Sequence, residues 1–151
     1  MRVRPFKESD IATMIELGSK MHKESNFKEL DYDKNKLITL GEAIIANPNV
    51  YYAIVAEDEN KVLLGMFIGV IIEYYFSKDR FASDLLFYVD KNKRGALASL
   101  RMLKEFELWA KRKKAKEVRP ATSVGIEIER TRKLYRHLGY EVTGNTFRKV
   151  I

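Results

Sequence analysis

The chain contains no cysteine. That excludes a disulfide framework, a thiol nucleophile and any thiolate-held metal. Its two histidines, His22 and His137, are too few to suggest a zinc centre, so no metal is expected. No apolar run is long enough to cross a bilayer: the most apolar, VLLGMFIGVII at 62–72, is short and bounded by charge. The opening residues MRVRPFKESD hold no apolar segment, so neither a secretory leader nor a membrane partner is expected, and the cytoplasm is the expected compartment. G-x-G-x-x-G and the Walker pattern are both missing, which leaves a Rossmann site or a P-loop without support. Internal repeats, linkers and low-complexity tracts are missing too.

What is present fits one domain over residues 1–151, with 46% hydrophobic and 32% charged residues. The net charge is +7 and the pI about 9.5. Such a balance suits nucleic acid or a small polyanionic ligand, or simply a solvated surface. The densest basic cluster, Lys111 to Lys114 with Lys116, closes a helix, where the dipole already favours cations.

Alternation over 2–5 predicts a first strand. Ser9 or Asp10 is expected to cap a helix that aligns Ile11, Met14, Ile15, Leu17 and Met21. Residues 22–32 read as a polar loop, and a second helix is expected over 33–46. Strands follow at 50–57 and 61–76, joined by Asp58–Asn60, with Gly65 and Gly69 marking bends in the second. After a turn at SKDRFA comes the strand SDLLFYVD, then a long helix with Ala96, Leu100, Leu103, Phe106 and Ala110 at helical spacing. EVRPATSV (117–124) is a strand that Pro120 prevents from pairing fully. A helix over about 127–138 ends at Gly139 in a left-handed cap, and two strands around Gly144-Asn145 close the chain. The order β-α-α-β-β-β-α-β-α-β-β predicts an α+β fold: a mixed, mostly antiparallel sheet of six to seven strands flanked by four helices.

One junction carries a chemical suggestion. The strand ending at Val89 runs into Asp90-Lys91-Asn92-Lys93-Arg94-Gly95 and onto a helix. Unpaired first-turn amides and the helix dipole favour an anion there. Gly95 and Ala96 would let a phosphate approach the backbone, with Lys93 and Arg94 beside it. A plain connection with a solvated basic turn fits the same residues.

Four stretches together resemble the GNAT family of N-acetyltransferases over essentially the whole chain. RVRPFKESDIATMIEL is similar to the family's opening strand and first helix. DLLFYVDKNKRGALASLRMLKEFELWAK is similar to its cofactor strand, pyrophosphate loop and long helix. RTRKLYRHLGYEV resembles its late helix, and MHKESNFKELDYDKNKL the substrate-side loop of small phage or bacterial members. The resemblance implies acetyl-CoA as cosubstrate and an amine acceptor: a small molecule, a peptide N-terminus or a lysine. Tyr88 and Val89 would flank the pantetheine arm, and the turn amides from about Arg94 to Ala98, Leu97 included, would hold the pyrophosphate. The family loop, roughly Q/R-x-x-G-x-G/A, can be aligned on Gly95, which puts the large Leu97 at its last position. Alignment on Lys93 places Ala96 and Ala98 at the small positions and is preferred. The position seven residues before the late-helix tyrosine, often Asn in the family, is Ile128 here. Small members of the fold often pair, so the resemblance admits a homodimer, while the sequence does not fix the oligomeric state.

By this resemblance Tyr135 would protonate the leaving thiolate and contact the cofactor; from the residues alone it reads as a core tyrosine with a satisfied hydroxyl. Glu73 and Asp84 are candidate carboxylates for relaying the amine proton or attracting a cationic acceptor. His22 and Glu24 are candidates for the acceptor side. Two other readings stay open: a CoA-binding protein without turnover, and a nucleic-acid-associated module on the same fold.

Overall fold

The computed structural model describes residues 1–93 and 96–151, with the side chain of Ala96 also outside the description. Strand β1 (Arg2–Pro5) precedes helices α1 (Ile11–Glu24) and α2 (Lys34–Ala46). Strands β2 (Tyr51–Glu57), β3 (Leu63–Glu73) and β4 (Arg80–Val89) follow as an antiparallel meander. Helix α3 (Ala96–Arg112), strand β5 (Glu117–Arg119) and helix α4 (Ile128–His137) complete the fold. Among the described residues the sheet order is β1-β2-β3-β4-β5, and only the β4–β5 pair is parallel.

Each face of the sheet buries its own core. Helix α3 covers one with Met102, Leu103, Phe106 and Trp109, against Ile54, Phe67 and Ala82. Helices α1 and α2 cover the other with Met14, Leu17 and Ile44, against Val55, Met66, Ile68 and Tyr88. A β-bulge decides which β4 side chains go where. Met66 pairs with Tyr88 on the α1 face and Phe67 with Phe87 on the α3 face. Between Ile68↔Leu86 and Gly69↔Asp84, β4 carries one extra residue, Leu85. The alternation therefore inverts there, and Asp84 shares the α3 face with Ala82. Gly69 is required on that face, because a Cβ would lie 2.2 Å from the Phe106 ring.

Several expectations need correction. Asp10 does not cap α1; its buried carboxylate is held by Arg4 at 2.7 Å and by the Lys7 amide at 2.9 Å. Asp33 does cap α2, accepting from the Asn35 and Lys36 amides. His22 and Glu24 lie on the last turn of α1 rather than in a loop, and β4 begins at Arg80, so half of SKDRFA is strand. Ala82 explains that extension: it is fully buried opposite Ile71. Among the described residues there are five strands, not six or seven. The chain beyond Tyr140 forms no strand, and its Arg148 donates to the Asn26 carbonyl at 2.6 Å. Strand β5 stops at Arg119, just before Pro120, so it offers only a three-residue edge for further pairing. No helix among the described residues is long and apolar enough to cross a membrane.

Candidate active site

Strands β4 and β5 pair only at Phe81↔Glu117, Ala82↔Val118 and Ser83↔Arg119. At the next step the ladder is replaced by a side chain. The Asp84 carboxylate accepts the Ala121 amide at 2.8 Å. The chain beyond Pro120 then diverges from β4, and a cleft of about 420 Å³ opens between them. Its floor is β4 from Asp84 to Val89; its walls are residues 121–124, Ile126 and one face of α4. Ser99, in the first turns of α3, lines it too.

Tyr135 of α4 packs behind the apex, against the Ala121 backbone. The ring is buried, and its hydroxyl donates to the Ala121 carbonyl at 3.3 Å. Ala121 is thus held on both sides, its amide by Asp84 and its carbonyl by Tyr135. The end of α4 fixes the ring by a Schellman cap. The Tyr140 amide donates to the Tyr135 carbonyl, the Gly139 amide to that of Arg136, and Gly139 takes φ +86°. This cap turns the Tyr140 ring back onto Tyr135, with 5.6 Å between centroids.

Burial raises the Tyr135 pKa well above the ordinary phenol range, and the Asp84 charge adds to the effect. Tyr135 is therefore a protonated donor at physiological pH. Burial also pushes the Asp84 carboxyl up to about 6, against the opposing bond from the Ala121 amide. Asp84 is largely ionised at neutral pH and can take up a proton in mild acid.

The opposite wall belongs to α1. The buried Tyr88 hydroxyl donates to Glu24 Oε1 at 2.6 Å, fixing that carboxylate at the end of α1 beside Met21, which lines the cleft. The segment after α1 is bound to the far lip, with the Asn26 amide donating to the Val124 carbonyl at 3.0 Å. His22 packs on the Tyr32 ring at 5.1 Å between centroids, and its Nε2 is buried without a hydrogen-bond partner.

The structure thus places Asp84, Tyr88 and Val89 on the cleft, with Tyr135 behind Ala121 and Glu24 bonded to Tyr88. It leaves Glu73 out: that residue is exposed and pairs with Arg80, at the far end of the β3–β4 hairpin from the cleft. Lys93 is exposed in a 3-10 turn at 91–93, its amide donating to the Asp90 carbonyl at 2.8 Å. Leu97 is exposed and Ala98 buried in the first turn of α3. Arg94 and Gly95 lie outside the described residues. Sequence reasoning missed Asp90, whose carboxylate accepts the Asn92 amide and pairs with Lys20 of α1. Its signal was legible, since Asp before a short polar run marks an Asx turn. The Asn26–Val124 contact had no such signal.

Solved acetyltransferases share this architecture. A predicted acetyltransferase from Clostridium acetobutylicum, solved with acetyl-CoA, has a TM-score of 0.79 at 17% identity, over 99% of this chain and 95% of its own. Aminoglycoside 6'-N-acetyltransferase from Acinetobacter haemolyticus gives 0.74 at 17% identity, over 100% and 99%. Glucosamine-6-phosphate N-acetyltransferase from Arabidopsis thaliana gives 0.74 at 15% identity, over 99% and 97%. No family model and no curated protein matches the sequence. From end to end, the chain has the fold of the GNAT acetyltransferases.

Proposed function

We propose that the protein is a GNAT-family N-acetyltransferase that moves the acetyl group of acetyl-CoA to a primary amine. The observation that carries this reading is the cleft that opens where Asp84 ends the β4–β5 ladder, with the Tyr135 hydroxyl bonded to the Ala121 carbonyl directly behind that apex. The cleft suits a long, narrow thioester arm. It is lined by apolar side chains such as Leu86, Val89, Val124 and Leu134, and it runs beside the first turns of α3, where a diphosphate is favoured. Bound acetyl-CoA supplies the reactive thioester.

The chain's own residues supply orientation and proton control. The edge of β4 beyond Ser83 faces the cleft rather than a fifth strand, so it can align an extended ligand as a strand would. Tyr135 holds a proton at its hydroxyl, where it can be given to a departing thiolate. Glu24, held by the Tyr88 hydroxyl, places a carboxylate at the end of α1, on the side from which an amine acceptor would approach. Asp84 ends the β4–β5 pairing and raises the Tyr135 pKa; it also accepts protons at the apex.

The test is release of free CoA from acetyl-CoA, measured across a panel of primary amines. Saturable, amine-dependent release supports the reading. Absence of release with every amine, in protein that binds acetyl-CoA, reduces the function to binding alone.

A further inference from the structure

Helix α4 carries more positive charge into the cleft than transfer of an uncharged acetyl group requires. Arg130, Lys133 and His137 all line it, at helical spacings of three and four, so they form one stripe along the helix. The acids nearby do not neutralise this stripe. Glu129 is engaged by Arg132 at 2.8 Å, and neither residue lines the cleft. Among the described residues, neither Arg130 nor Lys133 has a carboxylate within ion-pair distance. Glu127 also lines the cleft at the start of α4, one turn from Arg130, and Asp84 sits at the apex. Both leave the Lys133 ammonium uncompensated at the lip, with His137 one turn further along.

A solvated helix face would give exposed cations pointing anywhere. Here two neighbouring cations, Arg130 and Lys133, border the same cavity together with the His137 imidazole, and Ser99 from the first turns of α3 lines it too. We infer that the Arg130–Lys133–His137 stripe is a binding subsite for a phosphate monoester, separate from the anion-favouring start of α3. The inference rests on the acetyl-CoA reading for its setting. A ligand that placed one phosphate group at α3 would still leave this stripe to be matched by a second. Arg130 can offer a two-pronged donor to phosphate oxygens, Lys133 a point charge, and His137 a further N–H. The monoester can come from either end of the reaction: the ribose 3'-phosphate of the cosubstrate, or a phosphorylated amine acceptor.

The experiment compares wild type with R130Q/K133Q, whose exposed positions leave the fold intact, by calorimetry. The probes are CoA, 3'-dephospho-CoA and methyl phosphate. If the cosubstrate fills the subsite, wild type prefers CoA over dephospho-CoA by roughly tenfold or more, the equivalent of one charge-assisted hydrogen bond. The variant loses that preference, and methyl phosphate binds the dephospho-CoA complex but not the CoA complex. If an acceptor fills it, the two cofactors bind alike, methyl phosphate binds the CoA-loaded wild type, and the variant loses that binding. Equal cofactor affinities with no variant-sensitive methyl phosphate binding overturn the subsite and leave the acetyltransferase reading standing. Failure of both cofactors to bind defeats the acetyltransferase reading instead. Methyl phosphate binding to the free protein then decides the subsite by its loss, or not, in the variant.

Discussion

The Asp84 carboxylate takes the Ala121 amide at 2.8 Å at the first step where β4 and β5 no longer pair. One side chain thus ends the sheet and begins the cleft. Its burial costs the ionised form, which places its titration near pH 6. A folded-state pKa above the ordinary value of 3.8 means that the folded chain binds more protons than the unfolded one between about pH 4 and 6. Stability from this group is therefore present at low pH and lost as pH rises through 6. Asp84→Asn keeps an acceptor for Ala121 and removes the charge. It is expected to be more stable than wild type at pH 8, by up to about 3 kcal/mol, and to lose that advantage by pH 4. Urea unfolding at the two pH values checks the sign.

Tyr135→Phe keeps the packing against Tyr140 and removes the proton. We expect kcat to fall by about 10²-fold or more while the acetyl-CoA dissociation constant changes little. Equal turnover in the variant would remove Tyr135 from the chemistry.

Tyr88→Phe frees Glu24 from its 2.6 Å hydrogen bond without altering the α1 core. The amine KM is expected to rise several-fold, roughly the effect of one hydrogen bond to a charged group, with acetyl-CoA binding unchanged. Steady-state kinetics with each substrate varied in turn separates the two. A rise in the acetyl-CoA constant alone would place Glu24 on the wrong side of the cleft.

Arg4 bridges two buried carboxylates, Asp10 and Glu57, each at 2.7 Å. The pairing holds the Asp10 carboxyl below its ordinary range against the cost of burial, and raises the Arg4 pKa. Arg4→Ala strands both acids and should destabilise the fold by about 3 kcal/mol. Thermal unfolding at neutral pH measures it; a change within error would show that water already reaches the pair.

Much of this architecture is legible in the amino-acid sequence. Hydrophobic periodicity locates all four helices, and Gly139 announces the cap that seats Tyr135. Pro120 predicts where pairing fails, because a residue without an N–H cannot extend a ladder. The side chain that replaces the ladder is not legible. Asp84 reads as one of two similar strand carboxylates, and only the extra residue Leu85 turns it toward α4 while Glu73 stays in solvent. A bulge is set by tertiary packing, here by Phe106 filling the space above Gly69, and leaves no local pattern. The closing strands fail for a related reason: YEVTGNTFRKVI has strand composition, but a strand forms only where an edge receives it.

The most direct measurement is a crystal structure of the protein soaked with coenzyme A. The account predicts the diphosphate at the start of α3, the pantetheine arm along β4, and the sulfur about 3–3.5 Å from the Tyr135 hydroxyl, within proton-transfer reach. Coenzyme A bound elsewhere, or an empty cleft in well-folded protein at saturating ligand, would contradict it.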